Sequence, residues 1–465
     1  MTSAPQVYGA DEIDAIVVDP GTFQTKIGYA GYDSPSLVLP SYYGEVDLDG
    51  NKRQIFDESL LFLPQKGLEV KHIVENNAIV DWDGFVAQLE YVFKKLDVKP
   101  EQQPVLLTES TFSSYDSKVK ALDVFLDTFK FCAFYLVKQP TTVSFAHGRP
   151  NCLVVDVGHD LVTVTPIVDG LCLKNQVMGT KYAGAFLNQQ LEQFLADKGI
   201  ELRPHYMIKS KKIVYYESPA SKAEFQERKY DFEVSKSFHE FAKLKVLQEM
   251  KETLLSCIEE EGDEPKESDD QVRWFELPDG LAVPFTKKDR AALSNSLFSP
   301  LETLSTPITG FETPDDGNII KRLGHANETS SKEYVPMRRA KKPEEDKMDE
   351  DVADVQGGIG LIKLVQTVLD RLDIDLKPQL ANNIVLVGST SLVPGLNAKL
   401  HSELSLMNPS LKIRIHAAGN TIERRYSSWV GGSILSSLGT FHQLWVTKAE
   451  YETVGAEKLI VNRFR

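Results

Sequence analysis

At about 150 residues per domain, a chain of 465 residues has room for roughly three domains, or for two lobes carrying insertions. An apolar fraction of 42%, joined by 29 glycines, falls near the globular norm of about 45–50% and excludes a wholly disordered or a collagen-like chain. Fifty-two basic against 67 acidic side chains leave a formal charge of −15, which repels nucleic acid and anionic membrane over most of the surface and favours basic partners.

In chain order, Met1 to Ala15 lacks the charged-then-apolar layout of a signal peptide, and nowhere do 18 apolar residues run together, so a soluble, intracellular protein is expected. Ala15-Ile-Val-Val-Asp19 then predicts a buried strand, Asp19-Pro-Gly21 a turn, and Thr22 to Gly31 an alternating second strand. Trp82, Phe85, Val86, Leu89, Val92, Phe93 and Leu96 recur at helical spacing, as do Val119, Leu122, Phe125, Leu126 and Phe129, which predicts two core-facing helices. Cys152 to Gly170 repeats the layout of the first hairpin, its Asp156-Val-Gly158 turn falling 137 residues after Asp19. A further amphipathic stretch, Ala185 to Leu195, stops at Gly199, a suitable C-cap. Strands followed by helices, twice over, predict an α/β protein of two lobes built on a duplicated domain.

Two stretches break that pattern. Residues 259–270 hold eight acidic side chains in twelve, and 301–356 is rich in Pro, Ser, Thr and mixed charge with almost no periodic apolar residue. Both read as insertions, the second without fixed structure. Order returns with a helix over Ile359 to Leu369, then a buried strand that enters a turn at Gly388 and a further helix. Four scattered cysteines (Cys132, Cys152, Cys172, Cys257) and no metal-ligand spacing among the nine histidines predict reduced thiols and no metal cluster.

Chemistry concentrates in the two Asp-x-Gly turns. Backbone N–H groups of glycine-containing turns can surround phosphates, Asp19 and Asp156 can hold the waters of a phosphate-bound Mg²⁺, and Lys26 can reach a phosphate. Asp and Gly are also ordinary turn residues, so from the residues alone a nucleotide clamp and a plain pair of turns both stand open.

These hairpins, with Trp82-Asp83, Leu106-Leu-Thr-Glu109, Gly148-Arg149, Glu276-Leu-Pro-Asp-Gly280, the Asn382 to Gly395 segment, Trp429-Val-Gly-Gly-Ser-Ile-Leu435, Thr440-Phe441 and Trp445, resemble actin and the actin-related proteins over nearly the whole chain. Pro150 to Asp160, Glu423-Arg-Arg-Tyr426 and Asn462-Arg-Phe-Arg465 resemble most the nuclear actin-related protein four subfamily, found in histone acetyltransferase and chromatin-remodelling complexes. The resemblance implies an actin-like two-lobed ATPase-domain fold, with residues 1–146 plus 426–465 in one lobe and 147–425 in the other. It also implies ATP and Mg²⁺ as ligands. Asp19, Gly21, Thr22 and Lys26 match the family's first phosphate loop, and Asp156, Gly158, His159 and Asp160 match the second. Lys251 and Glu252 match adenosine contacts, Gly184 and Gly388 match glycines beside the nucleotide, and Gln139 matches the residue that orients the attacking water. By the same resemblance, Asp19 and Asp156 would hold Mg²⁺ through water.

The chain also departs from the family. Phe23 stands where a small glycine is usual, His159 where the family has an acid, Asp160 and Ser389 where it has glycines, and Thr163 where actin has a histidine near the water. A charge on Asp160 about 5 Å from a phosphate would cost roughly 3 kcal/mol at an effective dielectric of about 20, so Asp160 is expected to point away or to lean on Mg²⁺. ATP binding without hydrolysis follows as the expectation. The Pro40 to Trp82 stretch, which holds actin's subunit-contact loop, is a few residues shorter than its counterpart, and the long insertion follows Ser299-Pro300 where actin carries its filament plug; both predict a monomer. Arg338-Arg-Ala-Lys-Lys342 fits a nuclear import signal, and the acidic runs suit histone tails. The implied role is a non-catalytic scaffold in the nucleus, partnered by actin or another actin-related protein and by a helical segment of a remodelling ATPase or scaffold subunit. That helix would lie in a cleft between Gly148-Arg149 and Tyr426 to Leu435, its shape set by the nucleotide through the angle between the lobes. Neither a membrane nor a sequence-specific nucleic-acid contact is expected. The rival readings are an active ATPase or phosphotransferase of the same superfamily, and a filament-forming cytoskeletal protein.

Overall fold

The computed structural model describes residues 15–48, 50–257, 272–300, 319–321 and 359–464. The acidic stretch 259–270, the basic cluster 338–342 and nearly all of the 301–356 insertion lie outside the described residues.

Ile16–Pro20 (β1) is buried at every position, as a central strand covered on both faces must be. It turns into Gln24–Tyr29 (β2), with Asp19 opposite Lys26, and Leu37–Pro40 (β3) pairs with β2 beyond it. Tyr42–Leu48 (β4), Asn51–Ile55 (β5) and Leu68–His72 (β6) form a separate sheet in the order β5-β4-β6. Val74–Glu75 (β7) and Ala78–Ile79 (β8) are joined by Asn76 and Asn77, whose φ values of 49° and 58° mark a type I′ turn. Trp82–Leu96 (α1) is the expected helix, capped by Asp81, whose side chain accepts from the Gly84 N–H. Pro104–Glu109 (β9) and Ala133–Lys138 (β10) run parallel beside β1, and Val446–Thr447 completes this six-stranded sheet.

Between β9 and β10 the expected helix is only partly α-helical. Tyr115–Leu122 (α2) gives way to a π-helical turn at Asp123–Thr128, which buries three consecutive residues, Val124, Phe125 and Leu126. Gln139–Ala146 (α3) then leads to Cys152–Val157 (β11) and Val162–Val168 (β12), which repeat the first hairpin with Asp156 opposite Thr163. Leu171–Cys172 (β13) and Met178–Thr180 (β14) pair with β12, while Ile384–Val387 lies parallel to β11 and Ile415–His416 beyond it. The expectation of an insertion without structure fails at one point: the backbone of Ile319–Lys321 pairs with β14. An added edge strand needs only backbone hydrogen bonds, which composition does not report.

Gly184–Asp197 (α4) ends just before Gly199, whose φ of +71° favours glycine. Lys236–Leu254 (α5), capped by Ser235, gives no clean periodic signal, because Phe238 and Phe241 at one end and Val246, Leu247 and Met250 at the other join different clusters. The chain crosses between the two large sheets twice, through α3 and through the Thr421–Ser437 helix. These helices pack so closely that a Cβ at Gly431 would stand 1.7 Å from the Thr142 carbonyl oxygen. The second helix departs from helical geometry at Tyr426 (φ −113°, ψ 16°). Separate cores fill the two sides, one around β1, α1 and α2, the other around β11, α4 and the Leu361–Asp370 helix.

Candidate functional site

Both Asp-x-Gly turns open on one pocket. Asp19, Gly21, Thr22 and Lys26 line it from the first hairpin, Asp156, Gly158 and His159 from the second, with Gln139 at the head of α3 and Gly388 after the Ile384–Val387 strand. Lys251 and Glu252 line an adjoining cavity of about 210 Å³, which shares Gln248, Ser389 and Arg425 with the first. Gly184 joins the two. Its N–H donates to the Gly158 carbonyl (3.1 Å), its carbonyl accepts from Lys251 Nζ (3.1 Å), and a Cβ there would meet Thr390 Oγ1 at 2.6 Å. Burial pushes the Lys251 ammonium down to about 7, with Glu252 opposing the shift. Asp160, expected in the loop, does not line the pocket.

The two carboxylates live under opposite conditions. Asp19 accepts from Lys26 Nζ (3.0 Å), Thr108 Oγ1 (2.5 Å), Gln139 Nε2 (3.1 Å) and Ser428 Oγ (3.0 Å). Burial favours its neutral form, but the Lys26 charge and the bonds from Thr108, Lys26 and Gln139 outweigh burial and hold its pKa below the ordinary value. Asp156 has no hydrogen-bond donor among the described residues, and burial pushes it up to about 6, eased by Lys26 and reinforced by Asp19. A carboxylate that is half-buried, lines the pocket and has no donor suits a hydrated divalent cation, so the residues present fit Mg²⁺. Only glycine can stand at 388, where φ is +93° and a Cβ would lie 2.3 Å from the Val157 carbonyl oxygen and 2.4 Å from Asp156 Oδ1.

In the second loop, Asp160 points away from the pocket: its Oδ2 accepts the Asn76 N–H at 2.9 Å from the β7–β8 turn. Burial raises its pKa, the Asn76 bond opposing. In the same turn, Asn77 N–H donates to Thr22 Oγ1 (3.2 Å), which donates to Asn77 Oδ1 (2.6 Å). The His159 ring lies 5.0 Å from that of Phe23, and burial, with Lys251, His72 and Lys245 nearby, pushes its pKa down to about 3. His159 is therefore neutral at physiological pH. Gln139 donates to both Asp19 and the Pro20 carbonyl (3.2 Å).

Sequence reasoning did not assign roles to Thr108, Ser428, Asn76, Asn77, Gln248 or Arg425. An Asn-Asn pair between Val74-Glu75 and Ala78-Ile79 is a turn signal that locates the β7–β8 hairpin, but nothing local shows that the Asn76 N–H reaches Asp160 or the Asn77 N–H Thr22. Behind the Thr421–Ser437 helix lies a cavity of about 700 Å³ lined by Ala146, His147, Arg149, Ile422, Ser427 and Val430, with Ile434, Leu438 and Leu444 exposed on the same helix and just after it.

Paired Asp-x-Gly hairpins at the heads of two sheets, facing across one pocket, define the actin class of fold. The sequence profile described as Actin matches residues 10–465, and the chain belongs to the actin family, whose fold generally binds ATP. Within that family it is 39% identical to actin-related protein 4 of Candida albicans over 478 aligned residues, covering 100% of this chain and 99% of that protein. Similarity to actin-related protein 4 of Saccharomyces cerevisiae is 38% over 100% of this chain and 99% of that protein. For Schizosaccharomyces pombe the figures are 34%, 99% and 98%.

Proposed function

We propose that the chain binds Mg-ATP between its two hairpins and keeps it as a structural ligand, with little or no hydrolysis. The Asp156 carboxylate, with no donor among the described residues, set opposite Asp19, whose Oδ1 accepts three bonds and whose Oδ2 accepts one from Lys26, carries this reading. Mg²⁺ would neutralise phosphate charge there, its waters held by Asp19 and Asp156. Turnover needs a water held in line for attack. Gln139, the residue for that task by resemblance, gives its amide N–H groups to Asp19 and the Pro20 carbonyl and has only its amide oxygen left for a water, and His159 brings no charge. A melting point that fails to rise with Mg-ATP, or phosphate release as fast as that of polymerised actin, would refute the proposal.

On this reading the chain is a nuclear subunit of histone acetyltransferase and chromatin-remodelling complexes, and catalysis belongs to its companions. Its similarity to actin-related protein 4 over the full length supports the assignment. The cavity beside Arg149 and Val430 takes the apolar face of a helix from a remodelling ATPase or scaffold subunit, with actin or another actin-related protein held alongside. Histones are further partners. Purification of the endogenous protein with its companions, identified by mass spectrometry, tests this directly; companions confined to cytoskeletal proteins would overturn it.

A further inference from the structure

Away from the pocket, a small sheet turns large apolar side chains toward solvent. Val214–Tyr215, Leu281–Phe285 and Arg273–Glu276 lie side by side in that order. One face is packed: Leu281, Val283 and Phe285 belong to the core around β11 and α4, and Val214 and Phe275 rest against it. The other face of such a sheet is ordinarily polar. Here the register sets Tyr215 and Glu276 on either side of the buried Ala282, with Trp274 beside Pro284. The Tyr215 and Trp274 rings meet edge to face, 5.1 Å between centres, yet stay 58% and 48% exposed. Ile213 and Val272, two residues before each of them, are exposed as well and extend the apolar surface. Two aromatic rings that brace each other while remaining half open make a contact surface, and no partner covers it among the described residues.

Charge decides what fits there. The cations that border the patch are already engaged: Lys211 pairs with Glu276 (2.6 Å), Lys212 pairs with Glu224 (3.0 Å), and Arg273, which alternates with Trp274 along the strand, donates to the Thr253 carbonyl (3.2 Å). The chain enters this sheet from residues 258–271, whose eight acidic side chains and single lysine carry a formal charge of −7. Asp270 stands four residues before Trp274, a span of at most about 14 Å, so its charge reaches the rings within about two Debye lengths. A Lys or Arg side chain arriving at the patch gains twice, from that field and from the faces of the two rings.

We propose that Tyr215 and Trp274 form a docking site for a Lys- and Arg-rich peptide segment of a partner, steered there by the acidic run that precedes them in the chain. That a histone tail fills the site in cells rests on the chromatin reading above; the preference for a basic peptide does not.

Fluorescence anisotropy of a short labelled peptide of Lys, Arg and Gly, titrated with the full-length chain, reads the site directly. Trp274→Ala and Tyr215→Ala remove exposed rings, and an unchanged melting point checks that the fold survives. Each is expected to weaken binding by about threefold or more, as loss of an exposed cation–π contact predicts. Changing Glu259, Glu260, Glu261 and Glu264 to Gln should weaken it by a similar factor and flatten its salt dependence, and acetylating the peptide's lysines should weaken it further. No binding by wild type, or equal binding by both aromatic variants, overturns the proposal, as does a glutamine variant that binds like wild type. A neutral proline-rich peptide held as tightly, or self-association that Trp274→Ala abolishes, gives the face to another occupant and overturns it too. A chain that binds the basic peptide but purifies only with cytoskeletal companions refutes the chromatin reading and leaves the site standing.

Discussion

Asp156→Asn separates what the site costs the empty fold from what it gives the ligand. Burial raises the Asp156 pKa from 3.8 to about 6, so ionising it in the empty protein at pH 7.5 costs up to about 3 kcal/mol, at about 1.4 kcal/mol per unit. An acid whose folded pKa is raised stabilises the fold below its unfolded pKa and loses that contribution as pH rises through the folded one. Asparagine keeps the shape without the charge. Without nucleotide at pH 7.5 the variant should therefore melt higher than wild type, by up to about 3 °C if unfolding entropy is about 2.1 cal/mol/K per residue. The gap should shrink as pH falls through 6 and vanish near pH 4. With Mg-ATP the order reverses, because wild type gains about 4 kcal/mol at a thousandfold excess of ligand over Kd while the variant, lacking the cation's carboxylate, gains little. Differential scanning fluorimetry at pH 4 to 7.5, with and without Mg-ATP, measures all three. A variant that melts below wild type in the empty state, or a gap that does not move with pH, would show that Asp156 is not the unpaired acid described above.

Gly431→Ala forces a methyl group against the Thr142 carbonyl and is expected to cost about 1–3 kcal/mol or more, read as a lowered denaturation midpoint; an unchanged midpoint would mean that the two helices can part freely. Asp160→Gly removes the acceptor of the exposed Asn76 N–H, a bond worth about 0.5–1.5 kcal/mol, and also relieves a charge that burial disfavours, so stability at neutral pH should change by less than about 1.5 kcal/mol while hydrogen exchange at Asn76 quickens. In polymerising salt the pure chain is expected to sediment as a monomer, and pelleting filaments would restore the cytoskeletal reading. Replacing all four basic residues of Arg338 to Lys342 by alanine should reduce nuclear accumulation, and unchanged localisation would retire that motif.

The hairpins were legible because each is a local statement: an apolar run, Asp-x-Gly, then a second strand, all within about twenty residues. The same holds for α1, whose buried residues keep one helical period. The turn after α2 was not, since a π-helical step changes the period inside a single apolar stretch. Helix α5 hid for a related reason, as its two ends answer to different neighbours. At the site, the residue types were readable but their states were not. Asp19 and Asp156 look alike in sequence, and only the arrival of Thr108, Gln139 and Ser428 from remote segments makes one saturated and leaves the other open. Tyr42 packs with Phe241 in one apolar cluster and the Val70 N–H donates to Ser237 Oγ, pairings at separations that no local pattern reports.

The Gly431–Thr142 crossing has a mechanical meaning. Where two helices interlock through large side chains, relative rotation must unpack them; here backbone meets backbone at Gly431 and Thr142, with a hydrogen bond between Thr142 Oγ1 and Ser428 Oγ (3.1 Å) beside it, so the crossing is a short, close pivot. Such a fulcrum lets stiffness be set elsewhere, at whatever fastens the far ends of the levers. Adding or deleting a few apolar side chains far from the crossing would then tune how readily the cleft gapes, while the crossing itself stayed the same.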